Sequence, residues 1–364
     1  MTVLAGSRVV TPTGVLAPGL VEVDGGRIVS VAPTTGPVPD RVLAPGFVDL
    51  QVNGIDDVDV AGADPAGWER LDRLLAAQGT TTWCPTLVTA PLDAYPGRLA
   101  AIAAAAERPG PRPQVAGAHL EGPFLGDRPG AHPPDLVRPP DPEWIATLPP
   151  IVRVVTLGAE PPGALDAVRA VAARRGLAAI GHSAATLAQA GAAVDAGARL
   201  VTHGYNAMSP LHHREPGLVG AFLTDDRVAV SLVADGAHVH PAALEVAFRC
   251  KPDGRIVLVT DSVAWRAGRV GEIGLAHDGT VPRLADGTMA GSSLAMDQAV
   301  AYVVQVVGVP LERAVRAAST TPASLLGLAD RGALAPGRRA DVVALDPASL
   351  RCTATWIAAT QVHG

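Results

Sequence analysis

The stretch 115–124, with the sequence VAGAHLEGPF, decides how the rest of this chain is interpreted. It begins as a short apolar run typical of a buried strand, and it ends in an imidazole and a carboxylate before Gly-Pro stops it. An unpaired carboxylate in a buried strand is costly, so Glu121 requires a partner. Later apolar runs also end in a polar side chain, and we therefore expect a fold that brings strand ends together.

The composition is that of a globular protein, with 48% hydrophobic and 18% charged residues among 364. The net charge of −6 and the lack of a basic stripe argue against nucleic acid as a partner. Three widely spaced cysteines without a CxxC motif fit a reducing compartment. We find neither a signal-peptide pattern nor an apolar run long enough to cross a membrane, so we expect a cytoplasmic protein with no membrane partner.

Both ends of the chain consist of short predicted strands between turns. Gly25-Gly26 lies between two such strands and is typical of a two-residue hairpin, and the runs 341–345 and 353–357 have the same character. Neither end can bury a sheet face alone. We expect residues 1–44 and 333–364 to form one small β-sandwich domain, with residues 45–332 inserted between them.

The inserted segment alternates eight apolar runs with helical patterns. The runs end near residues 52, 87, 121, 158, 182, 203, 234 and 261. Apolar residues at three- and four-residue spacing predict helices between most of them, at 68–77, 99–106, 164–174, 186–196 and 242–248, and closing helices are predicted after the last run, at 298–306, 311–317 and 322–328. This pattern favours an α/β fold with a (β/α)8 TIM-like barrel. A doubly wound sheet is the alternative, but the glycine-rich turn that usually follows its first strand is absent.

In such a barrel the chemistry lies at the carboxyl ends of the strands. The polar side chains predicted there are Gln51, Asn53, Glu121, His182, His203 and Asp261. One carboxylate and two imidazoles suit a divalent transition metal with one position open for water. Asp261 suits a general base for that water and then an acid for the leaving group. Helix capping or buried ion pairs could explain each residue alone, but several strands ending in this way favour a metal site.

A set of motifs in order along the chain resembles the N-acetylglucosamine-6-phosphate deacetylase family of the amidohydrolase superfamily. The motifs are 117–124 GAHLEGPF, 130–132 GAH, 181–186 GHSAAT, 202–208 THGYNAM, 214–217 REPG, 234–239 ADGAHV, 260–261 TD and 290–294 AGSSL. The resemblance implies hydrolysis of the acetamide of N-acetylglucosamine-6-phosphate to glucosamine-6-phosphate and acetate. It implies metal ligands at Glu121, His182 and His203, and proton transfer by Asp261.

The same resemblance implies how the substrate is held. His132 matches the family histidine near the scissile amide, where it would polarise the carbonyl group. The other matching positions on the substrate side are Ala131, Asn206, Ala207, Arg214, His238, Met289, Ala290 and Gly291. Arginine suits a phosphate because its guanidinium is a planar fork of donors. The family is commonly oligomeric, with a partner subunit near the phosphate, so the resemblance implies a homodimer.

The chain departs from the wider superfamily at Gln51-Val52-Asn53, where many members carry His-x-His and bind a second metal. Neutral amides are poor ligands for a transition metal, so we expect a vacant second slot and one metal ion per chain. Zinc suits the donor set best, with iron, cobalt and manganese as alternatives. Further departures at Gly204, Ile55-Asp56-Asp57 and Trp265-Arg266 lie near the predicted pocket and leave the exact sugar open.

Two other functions remain open at this level. One is an amidohydrolase for another N-acyl amino sugar, such as N-acetylgalactosamine-6-phosphate. The other is a non-catalytic sugar-phosphate binding protein, against which the presence of Asp261 argues, because a binding protein has no need of a proton-transferring group. Arg214 and His238 favour a phosphorylated substrate, so loss of preference for the 6-phosphate over the free sugar would favour the first of these two alternatives.

Overall fold

The barrel predicted from the sequence is present in the computed structural model, which describes residues 1–277, 279 and 281–364. Its strands are β1 Phe47–Val52, β2 Thr80–Val88, β3 Ala118–Glu121, β4 Val152–Leu157, β5 Leu177–Ile180, β6 Leu200–Val201, β7 Ala229–Leu232 and β8 Ile256–Leu258. Each pairs in parallel with the next. Backbone hydrogen bonds from Asp261 to Gln51 and from Asn53 to Ser262 join the end of β8 to β1, which nearly closes the barrel.

The stretch 115–124 is interrupted rather than continuous. Gln114–Val115 pairs with β2 as a separate short strand, and β3 begins only at Ala118. Gly117 between them has φ of 141°, and a Cβ at this position would lie 2.1 Å from Cγ of Arg153. Glycine is therefore required by both the backbone conformation and the packing, which the apolar pattern alone does not reveal.

Ten α-helices lie within the described part of the chain: Pro65–Ala77, Tyr95–Ala106, Pro142–Thr147, Ala164–Ala173, Leu187–Ala196, Gly217–Thr224, Pro241–Cys250, Met296–Gln305, Leu311–Ala318 and Thr320–Leu325. Sequence analysis predicted all of them except Pro142–Thr147 and Gly217–Thr224. The first has only six residues. The second is buried at every position except its last, so it has no polar face and no amphipathic period to detect.

The two ends of the chain form two sheets. One contains Thr2–Gly6, Gly19–Asp24 and Arg27–Pro33, and the other is ordered Thr360–His363, Cys352–Ile357, Val342–Leu345, Val42–Pro45, Arg8–Thr11 and Gly14–Leu16. A separate apolar cluster joins Leu4 and Val21 of the first sheet to Leu43 and Trp356 of the second. The predicted hairpin at Gly25-Gly26 is present. The domain limits at 44/45 and 332/333 stay a prediction.

The loops at the carboxyl ends of the strands contain small elements of their own. The β1 loop has a hairpin of Gly54–Ile55 with Val58–Asp59, and 3-10 turns occur at Val60–Gly62, Leu92–Ala94 and Pro134–Leu136. The β8 loop, residues 259–295, has two further hairpins, Arg269–Val270 with Ile273–Gly274 and Ala276–His277 with Pro282–Arg283. Among the described residues, no helix is both long enough and apolar enough to cross a membrane.

Candidate metal centre and active site

A cavity of about 210 Å³ opens at the carboxyl ends of the barrel strands. Its wall includes Asn53, Val88, Glu121, Gly130, Ala131, His132, His182, His203, Asn206, Ala207, His238, Asp261, Val263, Val270, Ile273, Thr288, Met289, Ala290 and Gly291. Sequence analysis named thirteen of these positions. Two of its candidates, Gln51 and Arg214, do not line the cavity; Gln51 is buried behind it, whereas Arg214 is exposed outside it.

Glu121, at the end of β3, is the centre of the cluster. Its Oε1 lies 2.9 Å from Nε2 of His203 and 3.1 Å from Nε2 of His182, and these two nitrogen atoms are 3.0 Å apart. Nε2 of Gln51 donates to the same oxygen at 2.9 Å. All four side chains are buried. The carboxylate of Glu121, which would be costly to bury without a partner, therefore has partners from β1 and from the loops after β5 and β6.

Hydrogen bonding determines which nitrogen atom of His182 carries the proton. Nδ1 lies 3.2 Å from the carbonyl oxygen of Arg128, which can only accept, so Nδ1 is the donor. The neutral ring then presents the lone pair of Nε2 to Glu121 and His203. A histidine oriented by a backbone carbonyl in this way is typical of a metal ligand.

Three acceptor groups within 3.1 Å of one another need a positive charge between them. When no metal ion is bound, a proton within the cluster supplies part of this positive charge. Burial tends to lower the pKa of His203, but its hydrogen bond to Glu121 outweighs burial and raises it. Burial tends to raise the pKa of Glu121, whereas its close contacts with His182 and His203 hold it well below its usual range. The donor set fits a divalent cation, which satisfies all three groups at once.

His132 offers an alternative third ligand, because one donor atom each from Glu121, His132 and His182 lie within 4.8 Å of one another. Its hydrogen bonds argue otherwise. The backbone N–H of Thr89 donates to Nδ1 of His132 at 3.3 Å, so in the neutral ring Nε2 carries the proton. Burial lowers the pKa of His132 to about 3, which keeps the ring neutral. Nε2–H lies 3.8 Å from Oε2 of Glu121 and is available as a donor inside the cavity.

Asp261 follows β8 and faces the same cavity. Its Oδ1 accepts from Nδ2 of Asn53 at 2.8 Å and from Nε2 of Gln51 at 3.0 Å. Burial, followed by the nearby charge of Glu121, raises the pKa of Asp261 to about 7. A carboxyl group with such a pKa can both accept and return a proton near neutrality.

Several of these side chains project from strained backbone. His182, His203 and Asp261 have φ of 49°, 32° and 49°, and Ala207 has φ of 51°. Left-handed conformations are uncommon for residues other than glycine, and they cluster at functional sites. Four residues after His182, Thr186 caps the helix Leu187–Ala196 with a capping box, which fixes the end of the loop.

His119 shares a strand with Glu121 but takes no part in the cluster. Its Nδ1 donates to the carbonyl oxygen of Leu50 at 3.0 Å, and its Nε2 lies 2.8 Å from Oγ1 of Thr156. Both nitrogen atoms therefore have partners, and burial lowers the pKa of His119 to about 4. Glu160, three residues after β4, is likewise satisfied, because it accepts from the backbone N–H groups of Asp127 and Ala184.

The unusual Trp265-Arg266 pair lies outside the cavity. Arg266 pairs with Asp56 at 2.8 Å and lies over the ring of Trp265, whose other neighbour is the ring of His277. Asp56 and Asp57 both pair with Arg70. These contacts join the β1 and β8 loops, and neither Trp265 nor Arg266 lines the cavity itself.

Sequence analysis missed an apolar part of the cavity wall, formed by Val88, Val263, Val270 and Ile273, and also the role of Thr89 in orienting His132. Val88 is the last residue of β2, so the rule that strand ends face the site could have identified it. Val270 and Ile273 lie in the β8 loop, where no periodic pattern marked a structural element.

Comparisons with known proteins agree with this geometry. The model of the amidohydrolase family matches residues 42–362. The chain is 41% identical over 370 residues to N-acetylgalactosamine-6-phosphate deacetylase of Escherichia coli O157:H7, covering 98% of this chain and 97% of that protein. It is 40% identical to N-acetylglucosamine-6-phosphate deacetylase of Homo sapiens, covering 87% of this chain and 82% of that protein.

Among solved structures, one similar protein is N-acetyl-D-glucosamine-6-phosphate deacetylase from Mycobacterium smegmatis, an aspartate-to-alanine mutant in complex with N-acetyl-D-glucosamine-6-phosphate. Its TM-score is 0.92 at 35% sequence identity, and the match covers 100% of this chain and 99% of that chain. The family model spans most of the chain, and the similar proteins match it over nearly its full length. The chain therefore belongs to the amidohydrolase family, in the branch that contains these N-acetylhexosamine-6-phosphate deacetylases.

Proposed function

We propose that this chain hydrolyses the acetamide of N-acetylglucosamine-6-phosphate to glucosamine-6-phosphate and acetate. The observation that carries the proposal is the convergence of Glu121, His182, His203 and Asp261 on one cavity. The relatives, whose names specify deacetylation of phosphorylated amino sugars, support the substrate class. A non-catalytic binding protein is not favoured, because its site would not require a buried proton-transferring carboxyl group.

Glu121, His182 and His203 would hold the metal ion, with Nε2 of each histidine and a carboxylate oxygen as ligands. A divalent ion bound there lowers the pKa of a water molecule and polarises the amide carbonyl. Zinc is the proposed ion, because one carboxylate and two imidazoles with an open position are typical of catalytic zinc sites. The neutral amides of Gln51 and Asn53 leave no place for a second ion.

Asp261 would transfer the proton that the reaction must move. In the hydrolysis, water adds its oxygen to the acyl carbon, the carbon–nitrogen bond breaks, and the amine leaves with a proton. Asp261 takes the proton from the attacking water and returns it to the amine nitrogen. Asn53 and Gln51 donate to Oδ1 of Asp261 and keep the carboxyl group oriented toward the cavity during both transfers.

His132 would donate a hydrogen bond to the carbonyl oxygen of the acetamide. Thr89 holds Nδ1 of His132 as an acceptor, so Nε2–H remains the donor. Because burial keeps this ring neutral, the hydrogen bond can strengthen as negative charge develops on the oxygen in the transition state.

The sugar phosphate would extend from the reacting groups toward the loops after β6 and β7. Asn206 and Ala207 line the cavity on one side, and His238, which pairs with Asp235 at 2.6 Å, lines it on another. Arg214 is exposed and contacts His213. We propose that Arg214 contributes to phosphate binding in a homodimer, where a partner subunit would cover this open end. The three free cysteines are consistent with the cytoplasmic location that we propose.

Acetate release is the direct test of this function. The purified protein, supplied with Zn²⁺ or with Fe²⁺, Co²⁺ or Mn²⁺, is assayed on N-acetylglucosamine-6-phosphate, N-acetylgalactosamine-6-phosphate and unphosphorylated N-acetylglucosamine. We expect kcat/KM to be highest for the first compound and to fall by orders of magnitude without the phosphate. A clear preference for the galacto epimer would overturn the assigned sugar, and no hydrolysis with any metal would overturn the activity.

A further inference from the structure

We infer that Val88, Val263, Val270 and Ile273 form an acyl wall that limits the N-acyl group of the substrate to about the size of acetyl. The inference rests on the proposed deacetylase function and adds to it a determinant of specificity.

The acyl wall is an apolar cluster of its own. Its four residues are buried together, apart from the main core of the barrel, and all four line the cavity. The partly buried side chains of Trp265, Leu275 and Leu284 pack against the cluster. The wall is therefore a continuous apolar surface of the site and not a set of isolated side chains.

Only a small part of the substrate is apolar enough to pack favourably against the acyl wall. Hydroxyl groups and a phosphate lose hydrogen bonds with water when they are placed against valine and isoleucine side chains. The remainder of the cavity supplies mainly polar or small residues, which suit the sugar. The alkyl part of the acyl group is the portion of the substrate that gains most from an apolar surface.

The acyl wall also lies beside the reacting groups. Val263 follows Asp261 by two residues, and the backbone carbonyl of Asp261 and the N–H of Val263 both bond to Ser292. Val88 directly precedes Thr89, which holds His132. If the substrate amide lies between Asp261 and His132, its acyl group is therefore next to the acyl wall.

The hairpin that carries Val270 and Ile273 is anchored to the β1 loop and to the helix Tyr95–Ala106. The N–H of Gly271 donates to Oδ2 of Asp59 at 3.1 Å, and Nε of Arg269 lies 3.6 Å from the same oxygen. Arg98 pairs with Glu272 at the hairpin turn.

The hairpin turn also packs closely against the end of β2. A Cβ added to Gly271 would meet Cγ2 of Val88 at 3.1 Å, so no free space separates them. Anchored on one side and packed on the other, the acyl wall has little room to retreat from a longer acyl chain. We therefore expect it to exclude such chains.

The test compares acyl chain length in the intact protein. We measure kcat/KM for the N-acetyl, N-propionyl and N-butyryl forms of glucosamine-6-phosphate in the wild type and in Ile273→Ala, Val270→Ala and the milder Ile273→Val. Val306→Ala, a change on the exposed surface, is the matched control. In the wild type we expect kcat/KM to fall about tenfold or more for each added methylene.

We expect Ile273→Ala and Val270→Ala to raise the ratio of butyryl to acetyl kcat/KM by about tenfold, and Val306→Ala to leave it unchanged. Equal kcat/KM for butyryl and acetyl in the wild type would overturn the acyl wall, and this result does not depend on the folding of any variant. An unchanged ratio in folded variants that still hydrolyse the acetyl compound would also overturn it. Failure of the wild type on every acyl form would instead overturn the deacetylase function, and the acyl wall with it.

Discussion

The side-chain amide of Asn53 donates a hydrogen bond of 2.8 Å to Oδ1 of Asp261. Gln51 donates to the same oxygen at 3.0 Å. Both amides thus use their N–H groups on Asp261, and Gln51 also donates to Glu121. The two amides at the predicted vacant second-metal slot therefore satisfy both carboxylates as hydrogen-bond donors.

This arrangement predicts one tightly bound metal ion per chain. Metal analysis of the purified, dialysed protein should give a stoichiometry near one, and a chelator should abolish activity until about one equivalent of metal is returned. Two tightly bound ions per chain would contradict the assignment of Gln51 and Asn53 as donors to carboxylates.

Glu121 and Asp261 should respond differently to loss of charge. Glu121→Gln removes the only anionic ligand that we assign, so we expect loss of metal together with activity. Asp261→Asn keeps the three ligands, so we expect normal metal content and a fall in kcat of about 10²–10⁴-fold, the usual contribution of general acid–base catalysis. Metal content and kcat measured on the same preparations check both statements. Unchanged turnover in Asp261→Asn would show that another group transfers the proton.

His132 should affect catalysis without affecting metal binding. Removing the donor in His132→Phe should lower kcat by about 10²-fold, as for loss of one donor to a developing oxyanion. Thr89→Val, which keeps the backbone N–H but removes the hydroxyl group at 2.8 Å, should have a smaller effect of the same kind. Loss of metal in His132→Phe would instead assign His132 as a ligand in place of His203.

The architecture and most of the candidate site could be predicted because they depend on local patterns. Continuous apolar strands and amphipathic helices identified the barrel, and the ends of β1 and β3 identified Gln51 and Glu121. Asp261 was also placed at a strand end, although it lies three residues beyond the end of β8. His182 and His203 were placed at strand ends, whereas β5 and β6 end two residues earlier. Both histidines project from left-handed backbone, which is set by tertiary contacts and has no signal in residue type.

The acyl wall and the tautomer of His132 could not be predicted for a related reason. Val270 and Ile273 reach the cavity only because the β8 loop folds into a hairpin held by Asp59, about 210 residues earlier in the chain. Contacts at such sequence separation are a property of the assembled fold. Arg214 shows the converse, since its motif is present but its side chain lies outside the cavity of a single chain.

The stability of the fold should depend on pH through Asp49 on β1. Burial raises the pKa of Asp49 from 3.8 to about 7, although hydrogen bonds from Thr260 and Gln51 act in the opposite direction. The folded protein therefore retains a proton that the unfolded chain releases above about pH 4. The free energy of unfolding should fall as the pH rises from about 4 through 7, by up to about 4 kcal/mol from this group.

Asp49→Asn isolates this contribution, because asparagine does not titrate. Urea unfolding of the wild type and the variant, measured without metal from pH 4 to 8, should show the wild type losing stability relative to the variant as the pH rises. Parallel stability curves for the two proteins would mean that Asp49 is ionised in the folded state throughout.

Gly204, which follows His203, is fixed by packing rather than by backbone conformation. A Cβ at this position would lie 2.5 Å from Cγ2 of Val230 and 3.3 Å from the ring of Phe222. Gly204→Ala should therefore destabilise the fold by about 1–3 kcal/mol, the usual cost of overpacking. Thermal and urea unfolding of the two proteins measure this difference.

Val230→Ala removes the closest obstacle, so the double variant Gly204→Ala/Val230→Ala should be more stable than the sum of the two single effects predicts. A favourable coupling of about 0.5–3 kcal/mol in this double-mutant cycle is the expected signature of direct contact. The same cycle on kcat should show recovery, because relief of the clash returns His203 to its position beside Glu121. Strictly additive effects on stability would mean that a clash with Val230 is not the reason why position 204 requires glycine.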